Sequence, residues 1–184
     1  MKIIITEEQY DKIIRSQIKL SESNDYLPPL LKYLKGKPEL IPLYNEIEKT
    51  LNDTFTEEHF ENEIKISGPL KSISNGILPD TINQFNKMKL EVPQISIRNN
   101  SYRDYEKQKE TFLTSARNHG GTISGGQIQA ALPGFSQHHT GKGLDVLNHK
   151  YLTPDILKKY GFILPYQNKT QIRMAEPWHI YYNK

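Results

Sequence analysis

A change in hydrophobic periodicity along the chain is the feature that most constrains the fold. Before Gly68, apolar residues recur mainly at helical spacing, whereas after about residue 90 short β-branched segments alternate with helical ones and with glycine-rich turns. Helices followed by a mixture of short strands and helices are typical of an α+β domain. We therefore predict an α+β fold, with a small and mostly antiparallel sheet flanked by helices and with a helical N-terminal region.

The individual elements follow from capping and turn signals. Thr6 and Gln9 have the form of a capping box, and Thr54 and Thr56 are candidate N-caps. The predicted helices cover residues 10–18, 30–34, 41–51, 82–88, 101–118 and 155–160, and the predicted strands cover residues 92–97, 143–147, 162–164 and 178–182. We divide the chain into a helical region, 1–90, and a catalytic core, 91–184. Whether the first region completes the fold or forms an appendage stays open.

Composition excludes several classes of protein. The 184 residues include no cysteine, so any metal must be held by nitrogen and oxygen ligands. The longest apolar runs are a few residues long, so we expect no membrane span, and no export signal is recognisable. The net charge is only +3 and the basic residues are dispersed, so we expect no nucleic-acid partner.

The segment from Ser136 to Asp145 combines polar side chains with glycines. Gly141 and Gly143 allow a sharp turn between His138 and Asp145, so an imidazole and a carboxylate can meet at one point. Asp145 lies within an apolar strand, which indicates that a neighbouring group stabilises its charge. An isolated histidine and aspartate at this spacing are more often a hydrogen-bonded histidine and a capping aspartate than a metal site.

A second segment, Glu176 to His179, lies near the C-terminus. In an extended chain these two side chains would point to opposite faces, so a bend at Pro177 and Trp178 is needed if both serve one site. Two histidines and one carboxylate leave an open position on zinc, and a glutamate that is not a ligand can accept a proton there. Arg103, where a strand gives way to a helix, could face a developing oxyanion.

Together these motifs resemble the VanY-type D-alanyl-D-alanine carboxypeptidases, part of the wider LAS group of zinc peptidases that includes phage cell-wall endopeptidases. The resemblance covers roughly residues 95–182. It rests on the pattern Ser136-x-His-x-x-Gly-x-Gly-x-Asp145, on Glu176-Pro-Trp-His179, and on the preceding Tyr102, Arg103 and Gln108. Gly143 stands where the family commonly has alanine, and the register selects His138 rather than His139.

The resemblance implies a role for each matching residue. His138, Asp145 and His179 would bind one zinc ion per chain, and Glu176 would be the catalytic base. Arg103 would stabilise the negative charge on the scissile carbonyl. The resemblance gives Ser136, Gln108 and Trp178 supporting or substrate-binding roles, with Trp178 packed beside the metal.

The expected activity is hydrolysis of peptidoglycan stem peptides by a monomeric, zinc-dependent peptidase. Two bonds compete: a terminal D-Ala-D-Ala bond, and an internal bond such as L-Ala-D-Glu. The lack of a signal peptide, the small size and the short connection from Asp145 to Glu176 favour a phage-type endolysin that is made in the cytoplasm and acts on the cell wall. The alternative from another class is a non-catalytic, zinc-stabilised wall-binding module, against which the intact Glu176 argues.

Overall fold

The computed structural model of the chain describes residues 32–34, 37–168, 170 and 172–184. The α-helices with both ends in this part are α1 Ile41–Leu51, α2 Glu57–Ser67, α3 Pro79–Glu91, α4 Tyr105–Asn118, α5 Ile123–Gln127 and α6 Pro154–Tyr160. The strands are β1 Ser96–Ile97, β2 Gly143–Leu147, β3 Phe162–Ile163 and β4 His179–Tyr182. Short 3₁₀ helices cover Pro38–Leu40, Gln137–Thr140 and His149–Tyr151. The predicted capping box at Thr6 and the helix over 10–18 lie outside the described residues.

Side chains at the first turns explain where several helices begin. Thr56 forms a capping box with His59, which confirms one of the two candidate caps before α2. Asp104 accepts a hydrogen bond from the Lys107 amide, so α4 begins after it rather than at the predicted residue 101. Thr153 caps α6 in the same way, as predicted.

The four strands form one antiparallel sheet in the order β1-β2-β4-β3. In the central pair, Asp145 on β2 lies directly opposite His179 on β4. The α+β prediction is therefore confirmed. The predicted strand over 92–97 is shorter than expected, because Val92 ends α3 and the Ile95 amide donates back to its carbonyl.

Buried apolar side chains form two clusters. The first packs α1, α2, α4 and α5 together around large buried residues, of which Tyr44, Phe60 and Phe112 are fully inaccessible. The second packs α3 and α6 against the sheet. Burial of these side chains is the main source of stability, at about 25 cal/mol per Å² of apolar surface.

The segment between α2 and α3, residues 68–78, lies along the loop of residues 134–141, which includes His138 and His139. Its backbone makes three hydrogen bonds to this loop: Lys71 to Gly134 at 2.5 Å, Ser74 to His139 at 2.7 Å and Leu78 to Gly141 at 3.0 Å. These contacts fix the loop from outside the sheet. Within the part of the chain described above, no helix is both long and apolar enough to span a membrane.

Candidate metal centre

Three short elements carry the predicted metal ligands to one place. His138 lies in the 3₁₀ helix Gln137–Thr140, Asp145 lies in the middle of β2, and His179 is the first residue of β4. Ser136 caps the 3₁₀ helix, and Gly141 ends it in the left-handed conformation at φ 68°. This turn reverses the chain within a few residues, as the glycine pattern predicts.

The three side chains form a buried cluster whose candidate ligand atoms all lie within 4.8 Å of one another. Oδ1 of Asp145 is 3.6 Å from Nε2 of His138 and 3.1 Å from Nδ1 of His179. A tetrahedral zinc ion with bonds of about 2.0–2.2 Å places its ligand atoms about 3.3 Å apart. The spacing of these donors therefore fits such an ion.

Hydrogen bonds on the far side of each ring orient the donors. Nδ1 of His138 lies 2.6 Å from the carbonyl oxygen of Ser101, and Nε2 of His179 lies 3.1 Å from the amide oxygen of Gln137. The Ser101 carbonyl can only accept, so Nδ1 of His138 carries the hydrogen and its Nε2 turns a lone pair toward Asp145. A lone pair facing a carboxylate is repelled unless a cation lies between them, so this arrangement fits a metal.

The electrostatics of the cluster keep the donors in the forms that a metal requires. Burial lowers the pKa of His138 well below its ordinary value, and the nearby charge of Arg103 lowers it further. Burial opposes the ionisation of Asp145, but its hydrogen bond with His179 and the charges around it hold the pKa of its carboxyl well below the usual range. His138 is thus neutral and the aspartate is charged.

Arg103 lies directly before the cap of α4, at the position that its sequence context predicts. Its Nη2 is 3.6 Å from Oδ2 of Asp145, and its Nη1 donates to Oε1 of Gln108 at 3.2 Å. Gln108 in turn donates to the Ala131 carbonyl at 2.6 Å. Nε of Arg103 is buried and has no hydrogen-bond partner within the described residues. A buried guanidinium with a spare N–H group can donate a hydrogen bond to a ligand oxygen.

Glu176 lies beside the cluster because the chain bends where the sequence predicts. Pro177 and Trp178 form a turn, and the His179 amide donates to the Glu176 carbonyl at 3.0 Å. The Glu176 amide donates to the Tyr166 carbonyl at 2.9 Å, which ties the glutamate to the loop after β3. Burial raises the pKa of the Glu176 carboxyl.

A cavity joins these groups. Its wall is formed by twelve residues: Arg103, Gln108, Gln129, Ala130, Ala131, Ser136, Gln137, His138, Tyr166, Arg173, Glu176 and His179. Two proposed metal ligands, the proposed base and the proposed oxyanion donor therefore face one space. Perturbed carboxyl and imidazole groups that line a common cavity are typical of a catalytic site.

The remaining predicted residues divide between the cavity and its surroundings. Ser136 and Gln108 line the cavity, but Trp178 does not. The Trp178 ring lies 5.6 Å from the Arg98 guanidinium and 6.2 Å from the ring of His149. His139 is buried between the Arg103 carbonyl and the Gly134 amide, outside the ligand cluster as the motif register predicts.

Sequence reasoning missed six of the twelve cavity-wall residues, among them Gln137, Tyr166 and Arg173. Gln137 orients His179, and the Tyr166 ring lies 5.1 Å from the ring of the same histidine. Arg173 lies beneath the Tyr166 ring, 5.5 Å from its centre. Gln137 adjoins the predicted ligand His138, which was a usable signal, whereas the other two lie in a loop without regular periodicity.

Comparison with known proteins gives matches for the family and the fold. A family model described as VanY, D-alanyl-D-alanine carboxypeptidase, matches residues 74–156. This segment contains Arg103, His138 and Asp145 and ends before Glu176. No curated protein shows a significant sequence match.

Solved structures give partial matches to this chain. DacB from Streptococcus pneumoniae D39 is 25% identical, with a TM-score of 0.50 over 59% of this chain and 67% of that one. VanYB in complex with D-alanine-D-alanine is 23% identical, with a TM-score of 0.48 over 62% of this chain and 77% of that one. The E-to-A mutant of the D,D-pentapeptidase VanY from a VanB-type resistance cassette, in complex with Zn(II), is 22% identical, with a TM-score of 0.47 over 62% and 78%.

The fold and the site thus define a peptidase-like protein with a candidate metal centre. The family model and the DacB fold confirm the resemblance to the VanY-type D-alanyl-D-alanine carboxypeptidases that the motifs predict.

Proposed function

We propose that the protein is a zinc-dependent peptidase that hydrolyses a peptide bond in the stem peptides of bacterial peptidoglycan. The observation that carries this proposal is the convergence of two histidines and an aspartate in a buried cluster, next to a half-buried glutamate that lines the same cavity as the histidines. His138, Asp145 and His179 would hold one zinc ion per chain. The complex of a VanY relative with Zn(II) supports the choice of metal.

When bound, zinc supplies an acidified water and polarises the carbonyl of the scissile bond. Glu176 acts as the general base, accepting a proton from the attacking water and returning it to the leaving amine. A carboxyl with a raised pKa suits both steps, because it accepts a proton from water more readily than an ordinary glutamate does.

Arg103 stabilises the charge that develops on the carbonyl oxygen. Among the described residues its Nε has no partner, and its guanidinium is held by Asp145 and Gln108, so a donor is already oriented before substrate arrives. A fixed donor costs little reorganisation at the moment of reaction. Gln108 therefore acts on substrate through Arg103, and Ser136 completes the cavity wall.

We propose a terminal D-Ala-D-Ala bond as the substrate, because the matching family is described by this activity and a VanY relative is solved with D-alanine-D-alanine. Mass spectrometry of muropeptide digests tests this choice. Loss of a single alanine supports it, whereas release of whole stem peptides would assign the internal bond of an endolysin instead.

Glu176→Gln tests the mechanism. The variant should keep one zinc per chain, because Glu176 is not a proposed ligand, and should lose about 10³-fold or more in kcat, because the base is gone. Glu110→Gln, on the exposed face of α4, is the matched control and should keep full activity. Stoichiometric zinc with no hydrolysis by the wild type would favour the wall-binding module.

A further inference from the structure

We infer that Glu63 is a positioning residue for the active site: through Arg173 it holds the loop that carries Tyr166 and Glu176. Glu63 lies on α2, outside the segment that the family model matches. The inference rests on the proposed peptidase activity. It concerns a contact between distant parts of the chain, since the two residues are 110 positions apart.

The pair is a buried, fully hydrogen-bonded ion pair. Nη2 of Arg173 lies 3.1 Å from Oε1 of Glu63, and the two side chains are 3% and 0% exposed. Nη1 of Arg173 donates to Ser67 at 3.0 Å, and Nε donates to the carbonyl of Gln127 at 3.4 Å. Gln127 also donates to Oε2 of Glu63 at 3.2 Å. One guanidinium therefore connects the loop to both α2 and α5.

Arg173 belongs to the wall of the catalytic cavity as well as to this pair. Its guanidinium supports the Tyr166 ring, which packs against His179. The loop backbone is also bonded to the residue after α5, where Met174 donates to Ile128 at 3.0 Å, and within itself, where Glu176 donates to Tyr166 at 2.9 Å. Displacement of Arg173 would therefore move the proposed base relative to the metal ligands.

The energetics of buried ion pairs also favour a positioning role for Glu63. Apolar residues of similar volume often give equal or greater stability than a buried pair, because both charges lose their hydration. Stability alone therefore does not explain a glutamate at a fully buried position of α2. The fork of the arginine fixes direction as well as distance, which an apolar contact does not.

The first test is Glu63→Gln, which keeps the shape and removes the charge. With a peptide ending in D-Ala-D-Ala as substrate, kcat should fall by about tenfold or more with KM nearly unchanged, since a misplaced base affects the chemical step. Phe60→Leu is the matched control. It weakens the same helix in the apolar cluster but leaves the ion pair intact, so kcat should stay within about twofold once rates are corrected for the folded fraction.

Hydrogen exchange gives a readout that does not depend on activity. In Glu63→Gln the amides of Met174 and Glu176 should exchange about tenfold faster relative to the Val146 amide on β2, which donates to the Trp178 carbonyl. In Phe60→Leu these ratios should stay at the wild-type value. Unchanged ratios in Glu63→Gln would overturn the inference even if the wild type hydrolysed no peptide, and wild-type inactivity would refute only the proposed function.

A double variant separates positioning from packing. Glu63→Leu combined with Arg173→Met replaces both charges by apolar groups, so the unfolding midpoint should recover relative to Glu63→Gln while kcat stays at least about tenfold low. Recovery of both stability and kcat would show that the pair only fills space. An equal loss of kcat in the Phe60→Leu control would overturn the inference in the same way.

Discussion

Protonation of His139 should markedly lower the free energy of unfolding in mild acid. Its Nδ1 donates to the Arg103 carbonyl at 2.7 Å, and its Nε2 accepts from the Gly134 amide at 3.0 Å. A second proton would break the bond to Gly134 and place a charge in a buried site. Burial accordingly lowers the pKa of His139 from 6.5 to about 4.

The sign and size of the effect follow from proton linkage. Between pH 6.5 and 4 the unfolded chain binds a proton at this position and the folded chain does not, so the free energy of unfolding falls as pH falls. Above pH 6.5 neutral His139 makes its full contribution to the free energy of unfolding. The loss amounts to about 2 kcal/mol at pH 5 and approaches about 3 kcal/mol below pH 4, at about 1.4 kcal/mol per pKa unit.

Urea unfolding of metal-free protein at a series of pH values measures this loss. His139→Gln removes the titrating group, so its stability should fall less steeply than that of the wild type by about 1.4 kcal/mol per pH unit between pH 6 and 4.5. His138 titrates in the same direction, but it is present in both proteins and cancels. Parallel curves for the two proteins, or an NMR titration of His139 near pH 6.5, would refute the reasoning.

Two further substitutions test the packing around the site. Gly141→Ala should lose about 2–4 kcal/mol of stability in urea, because the residue is left-handed and its new Cβ would meet the Ser74 hydroxyl at 2.7 Å. Its control is Gly121→Ala. Gly121 is also left-handed but has open space around it, so this variant should lose only about 1 kcal/mol. Tyr44→Phe should lose about 1–2 kcal/mol, because it leaves the buried Pro133 carbonyl without its 2.8 Å donor, and an unchanged urea midpoint would contradict that assignment.

Local signals were sufficient to predict that His138, Asp145 and His179 lie together. Gly141 forces the turn that returns the chain from His138 to Asp145, and Pro177 bends the chain before His179. Each of these residues acts through its own backbone conformation, so its effect can be predicted from a few neighbouring positions. The catalytic roles of the surrounding residues stay predictions that the variants above test.

Longer-range pairing could not be predicted from the same signals. The segment 92–97 has strong β propensity, but only Ser96 and Ile97 find partners, on β2. Arg173 lies in an irregular loop, and nothing near it in sequence points to α2. One signal did exist, since Glu63 and Ser67 follow Phe60 at helical spacing on the buried face of the helix, where a polar residue requires a partner.

The direct opposition of Asp145 and His179 in the central strand pair also bears on how the sheet assembles. Because side chains alternate between faces, a slip of one residue between β2 and β4 would send one of the two to the wrong side. The proposed metal ion would bind side chains of both strands and would therefore stabilise only this alignment. Protein refolded without metal should accordingly contain more of the shifted register than protein refolded with it.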